Sequence, residues 1–467
     1  MIIGRAKEQR TLLELVEKEE SQFCVVYGRR RVGKTYLVRE TFHYNFTFQH
    51  TGVARGTYRE QLSAFRDSLR RAGMINCAMP KNWFEAFDLL KQLLSSAPEG
   101  KKVLFIDELP WMDTPKANMI GALENFWNGW ATSREEKDIV LIVCGSATSW
   151  ITKKLLRDKG GLRGRLTERI KIAPFTLSEC EQYAQMGGLT LGRKDILELY
   201  MILGGIPYYW SFLRRGLSVA QNVDDLFFAE DAQLKDEFQA LYHTLFKRPE
   251  NYVKVIEALT KRKAGLTREE LLRGTKLIDG GAFTQVLEDL EECGFIRRYV
   301  AYGKEQQGAV FQLMDNYTLF YYHCIRKNAF GDDNYWSHTY LGSEHNAWKG
   351  LAFERVCLQH VTQIKRALGV DGIVSYVCSW RDDKAQIDLL IARGDNVINI
   401  CEMKFYGDVY TLDKDATENL RRKMTAFRET TGTRCALHLT MVTTFGVARN
   451  VYWNEVQSEV TMDDLFA

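Results

Sequence analysis

One segment of the sequence places glycines, a lysine and a threonine where they could bind phosphate. The segment runs Gly28-Arg29-Arg30-Arg31-Val32-Gly33-Lys34-Thr35. It follows the apolar run Phe23–Tyr27, and a strand that breaks into a glycine-rich turn before a helix presents backbone N–H groups to phosphates. The glycines permit close approach and unusual backbone angles. We expect Lys34 to reach the β- and γ-phosphates of a triphosphate and the Thr35 hydroxyl to ligate Mg²⁺.

A pair of carboxylates downstream could complete such a site. The apolar run Val103–Ile106 ends in Asp107 and Glu108. A carboxylate at the end of a buried strand can hold Mg²⁺, which we expect of Asp107, and the next one, Glu108, can orient and deprotonate an attacking water. The same pattern also occurs where a strand simply ends at the surface. Its place downstream of the glycine-rich segment, with another strand between, favours the metal site.

Two further features could act on the phosphate. The apolar run Ile139–Cys144 leads to Ser146, which could sense the γ-phosphate or merely cap the strand. A basic, glycine-rich loop over residues 155–165 then follows. It could supply an arginine finger that stabilises charge on the transferred phosphoryl group, with Arg165 the first candidate and Arg163 the second. A solvated basic loop is the alternative.

Composition limits the kind of protein that carries these residues. A chain of 467 residues is too long for one core, so several domains are expected. A formal net charge of +3 predicts neither nucleic-acid nor membrane binding by the chain as a whole. The ten cysteines form no C-x-x-C pair, and the eight histidines show no H-x-x-x-H spacing, so we expect reduced thiols and no zinc site. With no signal peptide and no membrane-spanning run, we expect a cytoplasmic protein without a membrane partner.

The first 175 residues alternate apolar runs with helical patterns. Such alternation predicts a parallel sheet with helices on both faces. The expected strands are Phe23–Tyr27, Phe46–Gln49, Val103–Ile106, Ile139–Cys144 and Ile170–Ala173, and the expected helices are Lys34–Thr41, Gly56–Arg71, Trp83–Ser96 and Asn118–Trp130.

Together these segments resemble a family of prokaryotic AAA-type ATPases related to the signal-transducing NTPases with numerous domains. The matching pieces are Ile3-Gly4-Arg5, the Walker A segment Gly28–Thr35, the Walker B segment Phe105–Pro110, Cys144–Ala147, Gly161–Thr167, Ile172–Phe175 and Gly205–Pro207. The resemblance implies an ATPase domain over residues 1–175 and a helical lid over residues 176–240. It implies that Gly4 and Arg5 lie near the adenine, that Pro207 contacts the nucleotide, and that ATP, ADP and Mg²⁺ are the ligands.

Residues 241–335 have the pattern of a winged helix, with three helices and a hairpin. The expected elements are a helix Tyr252–Lys261, a second helix that opens within Leu266–Leu272, a third helix Ala282–Cys293, and strands Phe295–Val300 and Val310–Leu313. Thr267 and Glu270 form a capping box at the second helix. The third helix is acidic and would repel phosphate, so a structural or protein-contact role is favoured over DNA reading, although Lys261–Lys263 and Arg297-Arg298 could touch backbone phosphates.

Residues 340–467 carry a second pattern of charged residues. The runs Gln386–Ile391 and Val397–Lys404 predict two strands joined by a tight turn. Their carboxylates, Asp388 and Glu402, would then lie close together, and the strand period of two places Glu402 and Lys404 on one face. The two carboxylates could share Mg²⁺ or Mn²⁺, with Lys404 positioning or activating a water for attack on a phosphodiester. Solvated charges on amphipathic strands are the alternative.

This spacing resembles the PD-(D/E)xK nuclease core of restriction-endonuclease type. It is also similar to the nuclease-like C-terminal domain of unknown function that is fused to these ATPases. The resemblance implies that Glu354, on a preceding helix, completes the metal site, and a later helix offers Arg421-Arg422-Lys423 for phosphate contacts. The proline of the wider motif is absent, since Ile387 precedes Asp388, and this departure leaves activity open.

The sequence therefore predicts an α/β protein that joins a P-loop NTPase parallel sheet, a helical lid, a winged helix and a restriction-endonuclease-like α/β domain. The leading hypothesis is Mg²⁺-dependent ATP binding and hydrolysis as a switch, coupled to a nuclease-like domain that acts on DNA or RNA. The alternative is a nucleotide-gated regulator with a catalytically silent C-terminal binding module. A DNA-remodelling motor is a third hypothesis, and a homo-oligomer or a protein partner is compatible with each.

Overall fold

The computed structural model describes residues 2–156, 161–162, 164–246, 248–303, 309–328, 330–383 and 385–467. The chain divides into two compact units, Met1–Pro174 and Phe175–Ala467. Within the described ranges, no helix has both the length and the apolar character needed to cross a bilayer.

A five-stranded parallel sheet forms the centre of the first unit. Its strands are β1 (Gln22–Gly28), β2 (Phe48–Thr51), β3 (Lys102–Asp107), β4 (Ile139–Gly145) and β5 (Glu168–Ile172). Their spatial order is β2-β3-β4-β1-β5, and every neighbouring pair is parallel. β3 and β4 bury every side chain and β1 buries all but Tyr27, as a sheet covered on both faces requires. The predicted α/β class with a parallel sheet is confirmed.

Seven helices cover this sheet in the described part of the first unit. They are α1 (Ala6–Glu17), α2 (Lys34–Thr41), α3 (Tyr58–Arg71), α4 (Trp83–Ser95), α5 (Leu109–Met112), α6 (Met119–Phe126) and α7 (Thr148–Ile151). α3 begins two residues later than predicted because Thr57 caps it, with Glu60 completing a capping box. The helix predicted to reach Trp130 changes at Phe126 into a π-helical turn over Trp127–Ala131.

Helices and a small antiparallel sheet make up the first part of the second unit. The helices are α8 (Leu177–Met186), α9 (Arg193–Leu203), α10 (Pro207–Trp210), α11 (Val219–Phe227), α12 (Glu237–Leu245), α13 (Pro249–Thr260), α14 (Arg268–Thr275) and α15 (Gly281–Glu292). The strands are β6 (Leu266–Thr267), β7 (Ile296–Tyr299) and β8 (Val310–Leu313), in the order β6-β8-β7. The capping box of Thr267 and Glu270 is present. Residues 304–308 of the expected hairpin turn lie outside the described ranges.

A mixed sheet follows in the last part of the chain. Its strands are β9 (Ser375–Arg381), β10 (Gln386–Arg393), β11 (Val397–Lys404), β12 (Ala436–Thr443) and β13 (Ser458–Thr461), and the neighbouring helices are α16 (Asn316–His323), α17 (Tyr335–Thr339), α18 (Asn346–Gln359), α19 (Val361–Ala367) and α20 (Lys414–Thr431). β10 pairs antiparallel with both β9 and β11, whereas β11, β12 and β13 pair in parallel. The expected hairpin of β10 and β11 is therefore present.

A buried histidine connects two helices of the second unit. His360 follows α18, its Nδ1 donates to Val356 O over 2.8 Å, and its Nε2 accepts the Leu177 N–H over 3.0 Å. Burial lowers the pKa of His360 to about 4 from an ordinary value of 6.5. The neutral imidazole is thus the form that the fold requires, because protonation would remove the acceptor at Nε2.

We predict that this histidine makes the second unit less stable in acid. A base whose pKa falls on folding gives full stability above the unfolded pKa and loses it as the pH drops from about 6.5 to about 4, by on the order of 3 kcal/mol. The urea midpoint should fall over this window in the native chain, and His360→Gln should flatten that dependence. His243→Gln, at an exposed histidine, is the control. An equal pH dependence in native protein and His360→Gln would contradict the assignment.

Candidate functional site

The glycine-rich segment forms a tight loop between β1 and α2. Gly28 has φ of +149°, and a Cβ there would lie 2.3 Å from Ile172 O, so only glycine fits against β5. Arg31 (φ +71°) and Gly33 (φ +89°) also adopt left-handed backbone angles. Arg29 and Val32 are buried in the loop, and Arg30 is half-buried. α2 begins at Lys34 without a side-chain cap, so its first N–H groups face the loop as phosphate binding requires.

Lys34 is folded over this loop. Its side chain is buried, and Nζ donates to Gly28 O over 3.0 Å and to Arg29 O over 2.8 Å. The ammonium is thus held by two neutral carbonyl groups at the place where the loop would enclose a phosphate chain. A triphosphate offers stronger, charge-assisted acceptors to the same ammonium.

Thr35, in the first turn of α2, contacts Asp107, the last residue of β3. Thr35 Oγ1 donates to Asp107 Oδ2 over 2.8 Å. A hydroxyl and a carboxylate are the hard oxygen ligands that Mg²⁺ prefers when it also binds phosphates. The donor set therefore fits the predicted magnesium site, with Thr35 and Asp107 as its protein ligands.

Glu108, next to Asp107, has a strained backbone, and its carboxylate accepts two hydrogen bonds. It adopts φ of +48°, and its Oε2 accepts hydrogen bonds from Ser146 N over 3.1 Å and from Ser146 Oγ over 3.0 Å. Burial raises the pKa of this carboxyl, while Lys34 and the Ser146 hydrogen bonds oppose the rise. Ser146 therefore holds Glu108 in place, a contact that the sequence pattern did not indicate.

The remaining residues predicted for this site are Gly4, Arg5, Arg163, Arg165 and Pro207. Gly4 has φ of +63°, and the Arg5 guanidinium donates to Ala173 O over 2.6 Å within the same unit. Arg165 is exposed, and its predicted role as an arginine finger stays a prediction. Arg163 lies outside the described residues. Pro207 begins α10 in the second unit, and its contact with a nucleotide also stays a prediction.

The second group of predicted residues lies on the mixed sheet. β10 and β11 pair Leu389 with Cys401, so continuing that register by one residue puts Asp388 opposite Glu402. The pairing of β10 with β9 shifts between Ile387 and Leu390. The register between these two strands is therefore irregular in the interval that contains Asp388 and Leu389, and a β-bulge at such a place can re-aim a side chain.

Glu402 is bound by two ammonium groups. Lys404 Nζ lies 2.9 Å from its Oε1, and Lys423 Nζ on α20 lies 2.8 Å from its Oε2. Burial would raise the pKa of Glu402, but Lys423 and Lys404 outweigh it and the pKa is lowered. The sequence suggested Lys423 for phosphate contacts together with Arg421. The structure instead pairs Lys423 with Glu402, and Arg421 with Glu455 over 2.5 Å.

Glu354 lies on α18 in a buried position. Burial raises its pKa to about 6, Asp388 adds to the rise, and an ion pair with Lys263 opposes it. Among the residues that the structure describes, however, Asp388, Glu402 and Glu354 do not bring one oxygen each to within 4.8 Å of the others. The structure thus places the three carboxylates in one region without gathering them into a closed ligand set.

Two side chains that the sequence suggested for phosphate contacts have partners within the protein. Arg297 Nε donates to Gln312 Oε1 over 2.7 Å, and Lys263 pairs with Glu354. Burial lowers the pKa of Arg297 to about 10. The Lys263 side chain is 53% exposed, so its contact with phosphate stays a prediction.

Comparison with known proteins agrees with the first site. Residues 3–211 match a family model described as an ATPase domain predominantly from Archaea. An uncharacterized protein of Methanocaldococcus jannaschii, MJECL04, is 24% identical over 399 residues, which are 85% of this chain and 85% of that protein.

Solved structures show similarity at lower identity. The Walker-type ATPase Paby2304 of Pyrococcus abyssi is 17% identical with a TM-score of 0.49, over 68% of this chain and 95% of that one. The ORC2 protein of Aeropyrum pernix, solved as ADPNP-ADP complexes, is 14% identical with a TM-score of 0.45, over 67% and 90% of the two chains.

We predict that Gly28→Ala destabilises the first unit and weakens nucleotide binding. The added Cβ would lie 2.3 Å from a backbone oxygen at an unfavourable φ, which should cost about 2 kcal/mol or more. Thermal unfolding and binding of a fluorescent ATP analogue measure the two effects. Gly129→Ala is the matched control, because its Cβ would have ordinary contact at 3.7 Å. Wild-type behaviour of Gly28→Ala would show that the loop is not held against β5.

Proposed function

We propose that this chain, an ATP-hydrolysing P-loop enzyme, uses the carboxyl end of its parallel sheet as a Mg²⁺-dependent nucleotide switch. The hydrogen bond between Thr35 and Asp107 carries the proposal, since it joins residues 72 positions apart at 2.8 Å. A hydroxyl and a carboxylate that meet beside a phosphate-binding loop are what a shared Mg²⁺ site needs. Such a bond does not arise from local sequence and has to be built by the sheet.

The residues around this bond have separate roles in hydrolysis. Lys34 would exchange its two carbonyl acceptors for the β- and γ-phosphate oxygens. Mg²⁺, when bound by Thr35 and Asp107, supplies charge neutralisation on the same phosphates. Glu108 would orient the attacking water and accept its proton, and Ser146 would hold that carboxylate in position.

We expect Lys34→Ala and Glu108→Gln to separate binding from hydrolysis. Lys34→Ala removes the phosphate-binding ammonium and should abolish ATP binding. Glu108→Gln keeps the shape but cannot accept a proton, so ATP should still bind while kcat falls by about 10²–10⁴-fold. Calorimetry with ATP and Mg²⁺, together with phosphate release, measures the two effects.

Ser146→Ala tests the support of Glu108. It should lower kcat with little change in ATP affinity, because the serine contacts the carboxylate.

Glu124→Gln, on α6, is the control for Glu108→Gln, because it makes the same change from carboxylate to amide. Full ATP turnover in Glu108→Gln would remove Glu108 from the mechanism and leave another group as the base.

For the last part of the chain we propose a nuclease-like module that cleaves a phosphodiester of nucleic acid, with DNA as the preferred substrate. The residues proposed for this site are Asp388, Glu402 and Lys404, with Glu354 beside them. The order of helix, hairpin and following helix supports this assignment, as does the register of β10 and β11 that puts Asp388 opposite Glu402. Mg²⁺ or Mn²⁺ at the carboxylates would displace ammonium groups from Glu402. Lys404 and Lys423 would then be available to a phosphate or an attacking water.

A catalytically silent binding module is the second candidate, and one observation favours it. Two ammonium groups already neutralise Glu402, so a dication competes with two lysines for one carboxylate. In that case the module would bind a partner, and the protein would be a nucleotide-gated regulator.

The segment between these two sites supports a protein contact over DNA reading. Helices α13 to α15 and strands β7 and β8 suit a winged helix, whose third helix would be α15. That helix carries exposed Glu288 and Glu291, which repel phosphate. We therefore propose that α15 faces a protein partner or a second copy of the chain.

We expect Lys404→Ala to abolish DNA cleavage and to leave ATP hydrolysis unchanged, because the two sites use separate residues. Asp388→Asn should also remove cleavage and should weaken Mn²⁺ binding in calorimetry on the full chain. Lys414→Ala, at an exposed lysine of α20, is the control. Cleavage of single- and double-stranded DNA and RNA is measured with ATP and Mg²⁺ or Mn²⁺. Cleavage that persists in Lys404→Ala would refute this site, and no cleavage by wild-type protein would select the silent module.

A further inference from the structure

Two histidines and a cysteine meet in the second unit, and none of them is among the residues discussed above as a catalytic or nucleotide site. His323 ends α16, Cys324 follows it, and His345 comes just before α18. One ring nitrogen of each histidine and the Cys324 sulfur lie within 4.8 Å of one another, and His345 Nδ1 is 3.9 Å from Cys324 Sγ. Across the part of the chain that the structure describes, no other three His, Cys, Asp or Glu side chains are this compact.

The surroundings of these three side chains are apolar and aromatic. Cys324 and His345 are 0% and 1% exposed. The ring of Trp336 is 5.0 Å from that of His345, and the ring of Trp348 stacks 5.9 Å from that of His323. Such a pocket offers little to replace the hydrogen bonds that an imidazole makes in water.

Both imidazoles keep a buried nitrogen without a hydrogen-bond partner. These atoms are His323 Nε2 and His345 Nε2. Native proteins pair almost all buried polar atoms, so the unpaired His323 Nε2 calls for a physical explanation. His345 Nε2 lies 3.5 Å from a carboxylate oxygen of Glu344, and its Nδ1 is the nitrogen that faces the Cys324 thiol.

We propose that His323, Cys324 and His345 form a binding site for a thiophilic transition-metal ion, with Zn²⁺ the best match. Two imidazoles and a thiolate are the soft and borderline ligands that select zinc over Mg²⁺ or Ca²⁺. Three protein ligands leave a fourth tetrahedral position for water. Mg²⁺, which prefers oxygen, would not compete with zinc here.

The distances allow this site with small side-chain movements. In a tetrahedral zinc centre, Zn–S of about 2.3 Å and Zn–N of about 2.05 Å place sulfur and nitrogen roughly 3.5 Å apart. The observed 3.9 Å between Cys324 Sγ and His345 Nδ1 is a few tenths of an ångström longer. The largest separation in the group, at most 4.8 Å, would close by up to about 1.5 Å through side-chain rotation.

A carboxylate stands behind one of the ligands. Glu344 Oε1 lies 3.5 Å from His345 Nε2. If Nδ1 binds the metal, Nε2–H points to this carboxylate, and zinc-binding histidines commonly donate their second N–H to such a group. Glu344 is therefore a positioning residue for His345 and also contributes negative charge near the cation.

The proposed role of the metal is structural. Binding would tie the end of α16 to the start of α18 across 21 residues of sequence, and metal binding of this kind stabilises the folded state directly. Zinc would bind Cys324 as the thiolate, since only the thiolate is a good ligand, and binding would therefore release the thiol proton. The affinity should therefore fall in acid.

The full-length chain tests the site directly. After treatment with chelator and reductant, it should take up one tightly held Zn²⁺, measured by plasma mass spectrometry after desalting. Co²⁺ should give the visible bands of a tetrahedral site and a thiolate-to-cobalt charge-transfer band in the near ultraviolet. Zn²⁺ should also raise the unfolding temperature.

Variants then identify the ligands. Cys324→Ser should remove the charge-transfer band, and His345→Asn and His323→Gln should each weaken Zn²⁺ binding by at least about tenfold. Cys293→Ser, at a buried cysteine elsewhere, should behave as wild type. The cobalt spectrum of the wild-type protein tests the proposal even if a variant does not fold. A folded native chain with no charge-transfer band, or a band that survives in Cys324→Ser, would overturn the proposal and leave a thiol-to-imidazole contact in its place.

Discussion

The contact between Thr35 and Asp107 depends on the order of the strands. β1 and β3 lie on either side of β4, so the loops that follow these three strands leave the same edge of the sheet. The phosphate-binding loop, the carboxylate pair and Ser146 therefore meet although they are far apart in sequence. Parallel strands place their carboxyl ends together, and ligand sites on open α/β sheets are found at that edge. The site is thus a consequence of topology.

Local sequence predicted the elements that carry this site. The apolar run Phe23–Tyr27 became β1, and the pattern Lys34–Thr41 became α2 with the same bounds. In the second unit the capping box of Thr267 is present, and β10 and β11 form the expected hairpin. These successes share one cause, because side-chain periodicity and helix caps are properties of a few neighbouring residues.

What the sequence could not predict are contacts between distant residues. The bond from Ser146 to Glu108, the pairing of Lys423 with Glu402 and the meeting of His323 with His345 each depend on how elements pack. Spacing rules for metal ligands search within short motifs, and His345 comes 22 positions after His323. The π-helical turn after α6 and the register shift between Ile387 and Leu390 also depend on tertiary structure.

The two sites proposed to bind phosphate follow one electrostatic rule. At the first, Lys34 satisfies the carbonyl oxygens of its own loop. At the second, Lys404 and Lys423 satisfy Glu402. The acceptors are neutral carbonyl groups at the first site and a charged carboxylate at the second, so the ammonium groups are held with different strength. Neutral carbonyls release an ammonium to phosphate at small cost, whereas a carboxylate releases one only when another cation replaces it. With the proposed ligands, phosphate binding at the first site needs only the nucleotide and its Mg²⁺, while at the second a dication must first replace the ammonium groups at Glu402.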